Sequence, residues 1–231
     1  MSEPPQLGWP GRVAALVLVF LGGFVVMVLE IYGALFMRSE GFGGTHEVWI
    51  SQIGIVMVAL SMGYYLGGRL ADRFQRASFL TWLLYPVGIF IFFTHEIGSP
   101  LMEVEWILDA DEILGSSVVS TAVFLPPCFV LGMLAPYMIR LTAQQVSDLG
   151  QVAGRVYAAS TVGSIAGVFG PVLLIPTHGE MNLPVVSNQQ VFHIAGGLTM
   201  GLGVLCWVMD RWLVAAGGEQ PDAEYDEQEE A

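Results

Sequence analysis

Apolar runs alternate with short polar breaks along the whole chain. Six runs approach or exceed the length a helix needs to cross a bilayer: residues 13–37, 48–70, 78–93, 118–141, 156–176 and 191–215. A hydrocarbon layer about 30 Å thick takes roughly 20 apolar residues in helical form. The first run is longer than the roughly 7–15 apolar residues of a secretory signal, and no small-residue cleavage site follows it, so it is expected to remain as a span. The fourth run holds Pro126, Pro127 and Pro136, which predict a kink near Pro126. Between the third and fourth runs, PLMEVEWILDADEILG over residues 100–115 mixes apolar and acidic positions around Trp106. It is too short and too charged to cross, and it predicts an amphipathic helix on the outer interface. Glycines at four-residue spacing (Gly63 with Gly67, Gly163 with Gly167, Gly197 with Gly201) predict close helix contacts.

Composition agrees with the pattern. The chain is 54% hydrophobic and 13% charged, against about 25% charged in soluble domains, so an all-α polytopic membrane bundle is the expected class. Residues 1–215 read as one transmembrane domain. Residues 216–231, ending DAEYDEQEEA, read as an acidic, disordered tail. The net charge of −13 argues against nucleic acid, whose phosphates require a basic footprint. Cys128 and Cys206 sit inside apolar runs and are expected to be buried packing residues.

Charge placement adds an orientation. Every basic residue is arginine, and with the N-terminus inside, Arg12, Arg69, Arg73, Arg76, Arg140, Arg155 and Arg211 share one side while Arg38 alone lies on the other. The positive-inside rule then places both termini in the cytoplasm of a cell whose inner (plasma) membrane the chain crosses several times. The outer side collects most loop acids and the four histidines, His46, His95, His178 and His193.

Within the spans one acid stands alone. Glu30 follows a long uncharged run, and a carboxylate at that depth costs a few kcal/mol unless it is neutral or partnered. It reads either as a proton or cation site facing the bundle interior or as an acid tying helices together, with His193, Tyr32 or Thr161 as partners. The histidines lie beside acids (His46 with Glu47, His95 with Glu96, His178 near Glu180), but without the short spacings typical of a metal site, so no metal is expected. No GxGxxG, GxxxxGK[ST] or GxSxG motif is present, and the longest segment outside the spans is too short to fold as a soluble catalytic domain. Neither a cofactor nor an enzymatic activity is expected.

The segment GRLADRFQR, Gly68 to Arg76, resembles the loop after the second helix of major-facilitator transporters; its matching positions are Gly68, Arg69, Asp72, Arg73 and Arg76. Three blocks together are similar to the membrane domain of spermidine synthase-like proteins, the fused major-facilitator/spermidine synthase family. They are LEIYGALFMRSEGFGGTHEVW running on to GYYLGGRLADR, then LPPCFVLGMLAPYMIRL, then GQVAGRVYAASTVGSIAGVFGPVLLIPTHG, the last carrying Gly154, Arg155, Tyr157, Thr161 and Gly163. Two positions depart from the family pattern: Leu35 where an arginine is usual, and Ser160 where an asparagine is common. The resemblance implies a half-facilitator fold, and the family's aminopropyltransferase-like domain is expected to be absent. It also implies that the Gly68–Arg76 loop takes part in conformational switching, with Asp72 capping the turn or pairing with Arg140 or Arg155.

The expected function is an accessory or anchoring subunit of a membrane complex, partnered by the bilayer and by other membrane subunits or a separate aminopropyltransferase. The alternative is a transporter-like module for a cationic small molecule such as a polyamine. Six spans are half of a twelve-helix facilitator, so that role implies a homodimer, and the acidic outer face would suit a cation.

Overall fold

Uninterrupted apolar sequence becomes uninterrupted helix. The first helix, α1 (Trp9–Met37), runs for 29 residues without a break. The computed structural model describes residues 9–43, 46–143, 145–174, 177–178, 183–184 and 187–218. After α1 the chain passes through a π-helical turn, Arg38–Phe42, and then Gly43, whose φ of 74° is a conformation glycine adopts freely. α2 (His46–Arg73) follows, then α3 (Ser78–Phe92) and α4 (Thr94–Met102), bent by 54° at the break between them. A one-turn helix α5 (Glu105–Leu108) precedes α6 (Glu112–Val123), α7 (Leu125–Gly132) and α8 (Leu134–Thr142). α9 (Leu149–Leu174) and α10 (Asn188–Gly218) complete the bundle. Between them Thr177–His178 pairs antiparallel with Leu183–Pro184.

Five of these helical stretches are long and apolar enough to cross a membrane: Trp9–Phe42, His46–Arg73, Leu125–Thr142, Leu149–Pro171 and Asn188–Arg211. The bent α3–α4 pair makes a sixth if it is counted as one span. The acidic tail lies outside the described residues beyond Gly218.

Two features differ from a run of straight spans. The fourth apolar run is broken at Phe124, just before Pro126–Pro127, and at Met133, before Pro136. A proline has no N–H to give the preceding turn, so the helix is interrupted where the donors are missing. The segment 100–115, expected as one surface helix, is instead the end of α4, a turn, the single turn of α5, a second turn, and the start of α6. Pro100 sits in the last turn of α4, and the polar Asp109–Asp111 stretch ends α5, so no continuous apolar face is built.

The chain reverses between successive spans, the α6–α8 run counting as one. α1, α3 and α9 run one way; α2, the α6–α8 chain and α10 run the other. One end of the bundle therefore gathers Arg12, Arg69, Arg73, Arg76, Arg140, Arg155 and Arg211 (the arginine end). The opposite, histidine end holds the starts of α2, α4 and α10, with His46, His95 and His193.

In lipid the hydrophobic effect does not draw helices together, so close backbone approach must supply the contacts. α1 and α9 run parallel, with Gly163 and Gly167 against the backbone of Phe20 and Phe24, and Gly23 against Ser160. α2 meets α7 and α8 through Gly63 and Gly67, where a Cβ on Gly67 would stand 2.7 Å from the Cα of Met133. The third expected glycine pair does not do this. Gly197 and Gly201 have no neighbour within 4 Å, and it is Gly196, one position earlier, that meets Gly88 of α3. A Cβ on Gly196 would lie 2.6 Å from the Gly88 carbonyl oxygen. The centre is filled by Leu18, Leu29, Phe36, Phe124, Phe192 and Tyr137, all fully buried.

Candidate functional site

Glu30 sits on α1, half-buried, near the buried Cys128 thiol of α7. Among the described residues no side chain or backbone group hydrogen-bonds to it. His193 is not its partner. The His193 ring stacks on Phe92 with centroids 4.0 Å apart, and its Nε2 lies 3.9 Å from a Glu96 carboxylate oxygen. Thr161 spends its hydroxyl on the Tyr157 carbonyl of its own helix (2.8 Å), and Tyr32 is buried in the core. The two residues foreseen as one intramembrane site therefore stand apart.

The polar interior is elsewhere. Gln52 of α2 is fully buried; its Nε2 donates to the Leu29 carbonyl (3.4 Å), and its Oε1 accepts from the Ser120 hydroxyl of α6 (2.7 Å). One turn away, Ser116 donates to Ser51 (2.9 Å) and Ser117 donates to Ser51 (3.1 Å). Ser51 in turn donates to the Ile113 carbonyl. Every polar atom of this seam has a partner, as burial demands. It ties α1, α2 and α6 together. Single polar residues inside apolar runs gave no sign of it, because each partner lies more than twenty residues away in sequence.

At the histidine end, His95 Nε2 and Glu40 Oε1 are 3.0 Å apart, and Ser99 donates to the other oxygen of Glu40 (2.5 Å). Gln189 donates to Glu96 (2.7 Å), and Asn188 donates to Ser39 (3.1 Å). His95 and His193 thus lie against acids from other elements, and His95 does not pair with its neighbour Glu96. The Gln189 amide, followed by a backbone hydrogen bond, holds the Glu96 carboxyl below the usual carboxylate range. Among the described residues no three His, Cys, Asp or Glu side chains converge where a metal could bind.

The segment Gly68–Arg76, expected as a loop, is helical through Arg73, the end of α2, and its end together with the short turn that follows is held from three sides. Arg140 donates to Asp72 at 2.8 Å, one of the two pairings expected of that acid. The Tyr137 hydroxyl lies against the carbonyls of Phe74 and Arg76, which share its one proton. Both carboxylate oxygens of Asp210 accept from the first backbone N–H groups of the next helix, Ala77 (2.7 Å) and Ser78 (3.0 Å). The Phe74, Phe79 and Tyr137 rings stack beside them. Asp210 was missed because it precedes an acidic tail and its partners lie 132 and 133 residues away.

A groove of about 50 Å³ opens between α2 and α9, lined also by α1, α7 and α8. Tyr64, Ser160 and Ser164 bring hydroxyls to it, beside Gly22 and Gly23, which are themselves buried against Leu134 and Ser160. The exposed Tyr157 lies near Tyr64, while Gly154 has open space around it.

Compared with known proteins, the chain matches no family model, no curated protein and no solved structure.

Proposed function

We propose that this chain is an accessory or anchoring subunit of a membrane complex, a membrane module of the spermidine synthase-like kind. The observation that carries the proposal is the groove between α2 and α9. Tyr64, Ser160 and Ser164, none of them buried, bring hydroxyls to a cleft otherwise lined by small and apolar residues of α1, α2, α7 and α8, a weakly polar surface that suits the packing of another transmembrane helix. The flanking exposed faces (Met57, Tyr64, Val162, Ile165, Phe169) are apolar and suit either lipid or a helix. In this reading the arginine end faces the cytoplasm of the inner membrane and the partner is a second membrane subunit or an aminopropyltransferase anchored through one. Purification in mild detergent should bring down a stoichiometric partner, and Ser160→Leu, which fills the groove, should release it while leaving the bundle folded. A clean monomer, or association unaffected by Ser160→Leu, would overturn the reading.

Glu30 favours a second reading. A half-buried carboxyl in the most apolar span, with no partner among the described residues, suits transient capture of a proton or a cation. The module would then move a cationic small molecule such as a polyamine, as a dimer formed through the same groove. Uptake into proteoliposomes should fall at least tenfold in Glu30→Gln; unchanged uptake would sink this mechanism.

A further inference from the structure

A cavity of about 100 Å³ opens at the arginine end between α1, α9 and the segment joining α8 to α9. Part of its lining is polar: Arg12, Arg155, Gln151, Thr142 and Asp148. The rest is apolar: Ala15, Leu16, Val152 and Val156. The Thr142 hydroxyl is inaccessible to solvent and, among the described residues, is the buried side-chain polar atom that has no hydrogen-bond partner. Neither Arg12 nor Arg155 is ion-paired within the described residues; the ion pairs of the bundle are Arg140–Asp72, His95–Glu40 and His193–Glu96. Gln151 belongs to the first turn of α9, where unpaired backbone N–H groups and the positive end of the helix dipole add to the field.

We propose that this cavity binds the phosphodiester headgroup of an anionic phospholipid. Two guanidinium groups opposed by the single Asp148 carboxylate leave one net positive charge, which matches a phosphodiester monoanion and not a phosphate dianion. A guanidinium offers two parallel N–H groups to phosphate oxygens, and the Thr142 hydroxyl supplies the further donor the oxygens can accept. The divided lining decides between lipid and free phosphate. A soluble anion gains nothing from Ala15, Leu16, Val152 and Val156, whereas the glycerol and first acyl carbons of a lipid cover them. Basic pockets between spanning helices at headgroup depth are where anionic lipids are held. Asp148 on the rim repels a second negative charge and can accept from a headgroup hydroxyl, which favours a polyol headgroup such as glycerol. The inference rests on α1 and α9 crossing the membrane and is independent of whether the module anchors a partner or transports.

The test uses the full chain purified in a neutral detergent and stripped of lipid. Thermal unfolding and native mass spectrometry are read with added phosphatidylglycerol, with phosphatidylcholine, and with inorganic phosphate alone. Phosphatidylglycerol should raise the midpoint and add one retained lipid per chain, and phosphatidylcholine should do neither. Arg12→Gln and Arg155→Gln should each weaken phosphatidylglycerol binding on the order of tenfold, as loss of a charged hydrogen bond does. Thr142→Val, which barely changes side-chain volume, should weaken it less and keeps the test valid if an arginine variant fails to fold. Asp148→Asn should raise the affinity for inorganic phosphate. An equal shift from inorganic phosphate without lipid would assign the cavity to a free anion and overturn the lipid. Phosphatidylglycerol binding unchanged in Arg155→Gln and Thr142→Val would overturn the site itself.

Discussion

The two ends of the bundle are tied off by different means. At the arginine end the connection from α2 to α3 is a four-residue turn, residues 74–77, whose carbonyls and N–H groups are claimed by Tyr137 and Asp210 from distant helices. At the histidine end the chain leaves its helices through a π-helical turn and a bent helix, and the contacts are exposed side-chain pairs. Backbone groups locked by buried or half-buried partners fix geometry, because leaving them unpaired costs the full desolvation of each group. Exposed pairs in water are worth about 0–1 kcal/mol and can be exchanged. The arginine end is thus the fixed end of the molecule, and the histidine end is the adjustable one. The segment expected to act as a switching loop ends in a connection whose carbonyls and N–H groups are both held by distant helices, which suits the proposed anchoring role better than a moving one.

Asp210→Ala is the strongest challenge to that contrast. It frees the N–H groups of Ala77 and Ser78 at the start of α3 and should destabilise the purified protein by about 2–4 kcal/mol, two charge-assisted hydrogen bonds' worth. Thermal unfolding in detergent measures it, and a loss below about 0.5 kcal/mol would mean the turn is not held this way. Tyr137→Phe keeps the stacked ring and removes only the hydroxyl, so about 1–2 kcal/mol should be lost as the Phe74 carbonyl goes unpaired, while the Arg76 carbonyl keeps the Phe79 N–H. Hydrogen exchange should then rise across residues 74–77 before it rises elsewhere. Gln189→Ala should do least. It removes the donor that lowers the Glu96 carboxyl, and a lowered carboxyl contributes stability that is present above its unfolded value and lost as pH falls through the folded one. The midpoint should therefore fall slightly at neutral pH, by the little an exposed pair is worth, and the difference from the unsubstituted protein should vanish as pH falls through the folded Glu96 value. An effect at pH 7 as large as that of Asp210→Ala would erase the distinction between the ends.

What the sequence displayed and what it hid follow from the range of each interaction. The spans were legible because a long apolar run needs no partner to be recognised, and the helix breaks because proline acts on its own turn. The Gly63–Gly67 and Gly163–Gly167 contacts were legible from spacing, yet the same spacing misled at Gly197 and Gly201. Spacing reports a helix face and not which face meets another helix, and Gly196 holds the contact. The seam of Ser51, Gln52, Ser116 and Ser120, and the cap made by Asp210, join residues 62 to 133 positions apart and leave no local trace. His193 was matched to Glu30 by depth along the spans alone. The structure gives the histidine to Phe92 and Glu96 instead.

The parallel contact of α1 with α9 has a consequence for how the protein is made. The Ser164 hydroxyl donates to the Gly23 carbonyl across 141 residues of sequence, and that whole length must leave the ribosome before α1 meets its main neighbour. At about 5–20 residues per second, α1 waits in the bilayer for roughly 7–30 s. During that interval its glycine face and Glu30 are open to lipid, to the insertion machinery or to the helix of another chain.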